Sequence, residues 1–298
     1  MRFRANIENV PTFYKIVQAV EKLQDKCVVK FTETEMHIIC ASDATDGGVQ
    51  VWSQVKVDSL FVEYRIQSNT NNQITLSMSS EALLTTLRSA CTPSNNTGLI
   101  TDAEVVMKLA KKNDQAVLTF EILGATRGNR RVRVTQDIRI EVMKLQDVER
   151  LQEPLCPEPD VHILLPPLSK LRTIMDRLKT QSDFIAIRAN RAGRLQISVS
   201  TDNVKTDVAW TNLSNPPMTR DAASQDPTQI VRPQDKEKMF GVLVSIKCFM
   251  KFLSSYVIST TTIACICQNH CMILYVYIGE VADAGGVLTF YIPVVVDD

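Results

Sequence analysis

The sequence predicts an α+β protein built from two tandem repeated domains, each with antiparallel sheets backed by two helices. Three observations carry this reading. Short runs with the apolar periodicity of strands occur almost throughout the 298 residues. Four longer stretches instead repeat their apolar residues at helical spacing, and strand-rich chains with few helices bury one sheet face under those helices. The order of these elements then recurs after roughly half the chain, the mark of an internal repeat.

In the first half, residues 2–7 predict a strand that leads to a helix started by Pro11, with Phe13, Ile16, Val17, Val20 and Leu23 on one face. Residues 28–31 and 36–39 predict paired strands, followed by a strand ending at Trp52. Residues 74–78 run into a second helix over 80–90, with Leu83, Leu84 and Leu87 inward. A hairpin over 104–109 and 116–123 turns at Lys111-Lys112-Asn113-Asp114, and residues 138–142 close the half.

The second half repeats this plan. Residues 161–165 lead to a helix after Pro167, with Leu168, Leu171, Ile174, Met175 and Leu178 inward. Strands at 184–187 and 195–199 flank a turn at Gly193, and the next strand ends at Trp210, so the chain's two Trp residues occupy matching places. Residues 241–244 run into a fourth helix carrying Ile246, Phe249, Met250 and Leu253, and a hairpin and a final strand at 291–296 complete the half. The expected domains are 1–143 and 161–298, joined by a connecting segment over 144–160 whose Pro154, Pro157 and Pro159 favour extended backbone. A polar stretch at 217–238, with Pro227 and Pro233, reads as a long mobile loop.

Charge is segregated along a chain whose 33 basic and 33 acidic residues cancel. The four helical windows (12–26, 80–90, 167–180 and 245–255) hold ten basic and four acidic residues, leaving 23 basic and 29 acidic residues elsewhere. Lys15, Lys22 and Lys26 are spaced to share one stripe of the first helix, Lys170 and Arg177 one stripe of the third, and Lys247 and Lys251 one stripe of the fourth. On one helix such residues merely solvate a surface. Three helices biased alike in a repeated chain favour polyanion binding, because Lys and Arg stripes hold duplex DNA by releasing its counterions without reading bases.

The longest later apolar run, residues 272–278, is too short to span a bilayer, and the N-terminal residues lack a long apolar stretch. We therefore expect a soluble, unsecreted protein whose eight Cys residues are reduced thiols and whose sequons at Asn95 and Asn212 are chance matches. Asp43, Asp46 and Gly47-Gly48 lack the downstream Glu of a calcium loop and read as a hairpin turn. His37 and His162 lie in strand patterns without a Cys or Asp partner that spacing supports, and read as structural. The sequence contains no P-loop, dinucleotide fingerprint or nucleophile elbow.

Several motifs together carry a resemblance over nearly the whole chain. They are Met1-Arg2-Phe3-Arg4-Ala5, Gly47-Gly48-Val49 before Trp52, Leu151-Gln152-Glu153-Pro154, Pro157-Glu158-Pro159-Asp160-Val161, Leu164-Leu165-Pro166 and Asn212-Leu213-Ser214-Asn215-Pro216-Pro217. With them the chain resembles the sliding-clamp superfamily, and within it the Hus-type subunits of the heterotrimeric DNA-damage checkpoint clamp, the nine-one-one ring.

The resemblance implies the DNA sliding-clamp fold and a ring formed with two other clamp-fold subunits, six domains in all, with helices lining the hole. It implies double-stranded DNA bound without sequence specificity, loading by a dedicated clamp loader, and recruitment of checkpoint and repair proteins. It also implies a nuclear location, no membrane, no cofactor, no metal and no catalytic residues. Lys15, Lys22, Lys26, Arg88, Lys170, Arg177, Lys247 and Lys251 would then face DNA, while the acidic remainder would repel it from the outer surface. Subunits would join edge to edge through residues 131–138, with Arg131, Arg133, Thr135 and Ile138, and through 204–213, with Val204, Thr206, Val208 and Trp210. The run Arg127-Gly128-Asn129-Arg130-Arg131-Val132-Arg133 is either a selector of an acidic partner edge or a solvated basic turn.

Two other readings remain. A homotrimeric replication clamp shares the same architecture. A Cys-dependent enzyme or zinc protein would centre on Cys265, Cys267, His270 and Cys271, since Cys and His are preferred zinc ligands. The equivalent hairpin of the first half carries no Cys or His, so the architecture forms without ligands. Strand alternation places Cys265 and Cys267 with Ile263 on one face, Gln268-Asn269-His270 reads as the turn, and the thiols read as core.

Overall fold

A computed structural model describes residues 1–41, 48–91, 101–125, 130–216, 233–259, 261–281 and 284–295. Asp43, Asp46, Gly47, Asn95, Arg127-Gly128-Asn129 and most of the expected 217–238 loop lie outside the described residues. The chain forms two compact units, principally Met1–Ala41 with Val51–Gln152, and Glu153–Ala284 with Leu288–Asp298.

The first unit runs β1 (Arg2–Ile7), α1 (Val10–Val20), β2 (Lys26–Phe31), β3 (Glu35–Cys40), β4 (Gln50–Lys56), β5 (Phe61–Gln67), β6 (Ile74–Ser79), α2 (Ser80–Ala90), β7 (Thr101–Lys112), β8 (Gln115–Ala125) and β9 (Arg131–Val142). Its strands lie in the order β4-β3-β2-β6-β9-β8-β7-β1-β5. A single exposed turn of helix, α3 (Leu145–Glu149), follows.

The second unit runs β10 (Val161–Leu164), α4 (Leu168–Leu178), β11 (Phe184–Ala189), β12 (Leu195–Ser200), β13 (Lys205–Trp210), α5 (Pro233–Glu237), β14 (Phe240–Ser245), α6 (Ile246–Phe252), a 3-10 turn (Leu253–Val257), β15 (Thr261–Cys267), β16 (Cys271–Ile278) and β17 (Gly286–Pro293). Its strands lie in the orders β13-β12-β11-β14 and β17-β16-β15-β10. Position for position this is the order of the first unit without β5. The join between β6 and β9, where Met143 N donates to Thr75 O at 3.0 Å, has its counterpart in Val295 N donating to Leu243 O at 2.8 Å. The half-chain repeat is therefore a repeat of topology.

Each unit buries an aromatic core under its helices. Phe13 of α1 meets Phe61 edge-on at 5.8 Å, and Phe3 lies 4.4 Å from Phe31. In the second unit Phe252 lies 5.4 Å from Phe249 and meets Phe290 edge-on at 5.2 Å. Each fully buried Phe, Leu or Ile of these layers stabilises the fold by roughly 1.5–3 kcal/mol. At the turn before β12, Gly193 has φ +77°, and a Cβ there would stand 2.3 Å from Leu213 O, so only glycine fits.

Several expected bounds shift. Helix α1 stops at Val20, because Leu23 N bonds Val20 O in a tighter turn and Lys26 enters β2, where it pairs with Ser79. The strand through Trp52 continues to Lys56. Strand β9 already starts at Arg131, since Arg131-Val132-Arg133-Val134-Thr135 alternates exposed and half-buried positions along β8. Strand β17 occupies Gly286–Pro293 rather than 291–296. Strand β5 is not among the expected strands: Val62 to Gln67 alternates apolar and polar residues, but Phe61 beside Val62 breaks the phase, and Glu63 adopts φ +48° where the register with β1 shifts.

Candidate nucleic-acid interface and sheet edges

The basic residues singled out from the sequence are all exposed: Lys15, Lys22, Lys26, Arg88, Lys170, Arg177, Lys247 and Lys251. The structure places Lys15 on α1, Arg88 in the last turn of α2, Lys170 and Arg177 on α4, and Lys247 and Lys251 on α6. Lys22 falls in the turn after α1 and Lys26 opens β2, so the expected three-lysine helix stripe does not form. That stripe was inferred from a helical spacing that Leu23, buried although outside the helix, prolonged in the sequence.

The charge bias survives this trimming. Helices α1, α2, α4 and α6 together hold seven basic residues and two acidic ones, Glu81 and Asp176. Asp176 is held by Lys179 at 2.6 Å, whereas none of the eight singled-out cations forms a salt bridge among the described residues. Packing fixes the neighbouring groups: Arg88 Nε donates to Tyr14 OH of α1 at 3.4 Å, and the Arg172 guanidinium lies 4.9 Å above the Tyr256 ring. The helix surfaces of each unit therefore present cations whose charge is left for solvent or an external anion.

The candidate assembly residues lie on strand edges. Along β9, Arg131–Arg139 pair with β8 on one side, while β6 engages only Ile140–Val142 on the other, so Arg131, Arg133, Thr135 and Ile138 border an open ladder among the described residues. Among the described residues strand β13 ends its sheet and pairs only with β12, which puts Thr206, Val208 and Trp210 on an edge. Val204 stands just ahead of that strand, 53% exposed, its carbonyl accepting from Thr201 N at 2.9 Å. Arg133 also reaches inward, donating to Glu121 Oε1 at 2.7 Å.

The Cys-rich hairpin forms as core. Cys265, Cys267 and Cys271 are buried in one cluster with Ile263 and Ile273, and Asn269 makes the turn at φ +57°. His162 corrects the expectation of an imidazole without a Cys partner: its Nδ1 lies 3.1 Å from Cys265 Sγ. The pair is separated by 103 residues and meets only through the pairing of β10 with β15, which no local spacing reveals. His37 Nδ1 donates to Ser53 O at 3.1 Å, with Glu35 3.4 Å from its Nε2. No metal-holding group of three or more Cys, His, Asp or Glu occurs among the described residues.

Comparison with known proteins adds an independent line. Residues 1–296 match the family model described as Hus1-like protein. The chain is 33% identical to checkpoint protein hus1 of Schizosaccharomyces pombe over all of both chains. It is 27% identical to checkpoint protein HUS1 of Homo sapiens, over 98% of this chain and 99% of that one. Among solved structures, proliferating cellular nuclear antigen of Entamoeba histolytica superposes with a TM-score of 0.69 at 15% identity, over 99% of both chains. The same clamp protein of Thermococcus kodakaraensis gives 0.68 at 14% identity, over 98% of this chain and all of that one. The fold is thus the two-domain sliding-clamp fold.

Proposed function

The chain belongs to the Hus1-like family, and from that membership we propose that it is one subunit of a heterotrimeric checkpoint clamp. In this reading it encircles duplex DNA at damaged or stalled replication sites together with two other clamp-fold subunits. It works in the nucleus as a non-enzymatic scaffold for checkpoint signalling and repair proteins, placed on DNA by a dedicated loader.

The observation that carries the DNA-binding part is the excess of exposed cations without salt-bridge partners on α1, α2, α4 and α6. Point charges on flexible stems neutralise phosphates without fixing a base register, which suits a protein that stays on DNA while moving along it. The open edges at β9 and β13 support assembly, since two such ladders on one chain allow a heterologous ring to close. Full-length kinship to checkpoint proteins favours this over a homotrimeric replication clamp, because the likeness to the replication clamps extends to the fold alone.

Co-expression with two other clamp-fold proteins tests the assembly. We expect a stable 1:1:1 complex by light scattering. A concentration-stable homotrimer of this chain alone, or its recovery only as a monomer beside those partners, would overturn the reading.

A further inference from the structure

The outer face of the first unit's sheet carries charge that its fold does not use. In β1 the side chains of Phe3, Ala5 and Ile7 are buried, so Arg2 and Arg4 point away from the core, and both are exposed. On the neighbouring β5, Tyr64 turns inward and meets Phe3 edge-on at 5.6 Å, which leaves Arg65 exposed on the same outer face. Register sets Arg4 directly opposite Arg65 and, on its other side, opposite Lys108 of β7. Lys108 is neutralised by Glu121 at 2.6 Å, whereas Arg2, Arg4 and Arg65 form no salt bridge among the described residues. Like charges directly opposite across a ladder destabilise it. The fold does not demand them: on β10, the counterpart of β1, the positions facing away from the core are His162 and Leu164.

An open edge adjoins these arginines. Strand β5 ends its sheet and pairs only with β1 among the described residues, so its other ladder of N–H and C=O groups is unpaired there.

We propose that β5 and the three arginines form a docking site for an extended peptide segment carrying a phosphorylated Ser or Thr. The peptide backbone adds to the open edge along residues 64–67, past the irregularity at Glu63. A peptide residue opposite Arg65 presents its side chain on the outer face, because directly paired residues share a face. Its phosphate meets Arg65 first and Arg4 one strand further on, two strand spacings of about 4.8 Å each from the peptide. Arg2 stands two positions along β1 on that face. Guanidinium forks bind phosphate oxygens bidentately, and a dianion with three acceptor oxygens fits three cations better than one carboxylate does.

The surroundings favour a single phosphate over a nucleic-acid strand. Asn6 is the next outward position after Arg4, and its Nδ2 donates to Glu63 Oε2 at 3.1 Å and to Glu104 Oε1 at 3.5 Å. These two carboxylates end the basic patch and repel a row of phosphates tracking across the sheet. All the residues belong to one unit, so docking needs no ring, and its failure would leave the clamp reading standing.

Fluorescence anisotropy of the full chain tests the site with labelled peptide pools, degenerate around a central phosphoserine, Ser or Asp, and with labelled single- and double-stranded DNA. We expect the phosphoserine pool to bind at least tenfold tighter than the Ser pool. Arg4→Ala and Arg65→Ala should each weaken it severalfold and together erase the preference for phosphate. Neither should lower the urea midpoint, since both side chains are exposed and like-charged. Hydrogen exchange over residues 61–67 should slow severalfold on binding, which phosphate capture without strand addition would not cause. Equal binding of the phosphoserine pool and either other pool, an unchanged preference in the double variant, or unslowed exchange in β5 would overturn the proposal. Tighter binding of DNA than of the phosphoserine pool through the same arginines would also overturn it, assigning the patch to nucleic acid.

Discussion

Glu121 on β8 binds two cations from the neighbouring strands, Lys108 of β7 at 2.6 Å and Arg133 of β9 at 2.7 Å, so one carboxylate ties three strands together. The Lys108 hydrogen bond, followed by that of Arg133, holds its pKa below the ordinary glutamate value of 4.5. With the folded pKa depressed, the stabilisation is complete above the unfolded value and is lost as pH falls through the folded one. Urea midpoints should therefore drop on acidification below about pH 4.5. Glu121→Gln should be less stable at neutral pH and should flatten that acid limb, whereas identical acid limbs in both proteins would refute the assignment. The cations of such ties are visible in the sequence as alternating charges, but their partners are not. Lys108 and Glu121 are 13 positions apart and meet because the β7–β8 hairpin sets their register, just as β10 and β15 bring His162 to Cys265.

At the level of elements, legibility followed local signals. Helix α2 occupies the expected residues 80–90 because Ser79, whose Oγ accepts from Ala82 N at 3.2 Å, marks its start, while Leu83 and Leu87 mark its buried face. Helix α1 starts as sharply, with Asn9 Oδ1 accepting from Thr12 N at 3.1 Å and Pro11 in its first turn. Its end was misjudged because Leu23 continues the apolar stripe and nothing in the sequence, such as a Gly, marks the stop. The hairpin β7–β8 turns through Asn113 and Asp114 at φ +49° and +60°, as Asn and Asp allow. These caps carry a test. Ser79→Ala and Asn9→Ala should each cost about 1 kcal/mol in urea unfolding. Thr85→Ala, an exposed change on the same α2 helix, should stay within about 0.5 kcal/mol of zero, and equal losses in all three would show that the caps are idle.

For the molecule as a whole, the two-fold repeat was the most legible feature, because the strand order of one unit reproduces that of the other. The unit edges were less so: Arg131–Val142 is one strand, but the polar run Thr135-Gln136-Asp137 interrupts its apolar alternation, so its two halves read as separate pieces. Charge segregation was legible at the level of helices and only partly at that of residues, since Lys26 belongs to a strand and Lys22 to a turn. This distribution yields a prediction that only the assembled complex can answer. If each DNA-facing cation displaces one condensed counterion, the slope of log affinity against log salt is about −0.9 per phosphate neutralised. Replacing Lys15, Lys22, Lys170, Arg177, Lys247 and Lys251 by Ala should then flatten the slope for duplex DNA by up to about 5, while three-subunit assembly persists because none of the six lies on β9 or β13. The loss should be the same for unrelated duplex sequences, since phosphates carry no base information. An unchanged slope with intact assembly would place the DNA-binding surface elsewhere. Lost assembly with unchanged DNA affinity of the residual chain would instead assign these lysines and arginines to subunit contacts, which follows from their charge only if the partner surfaces are acidic.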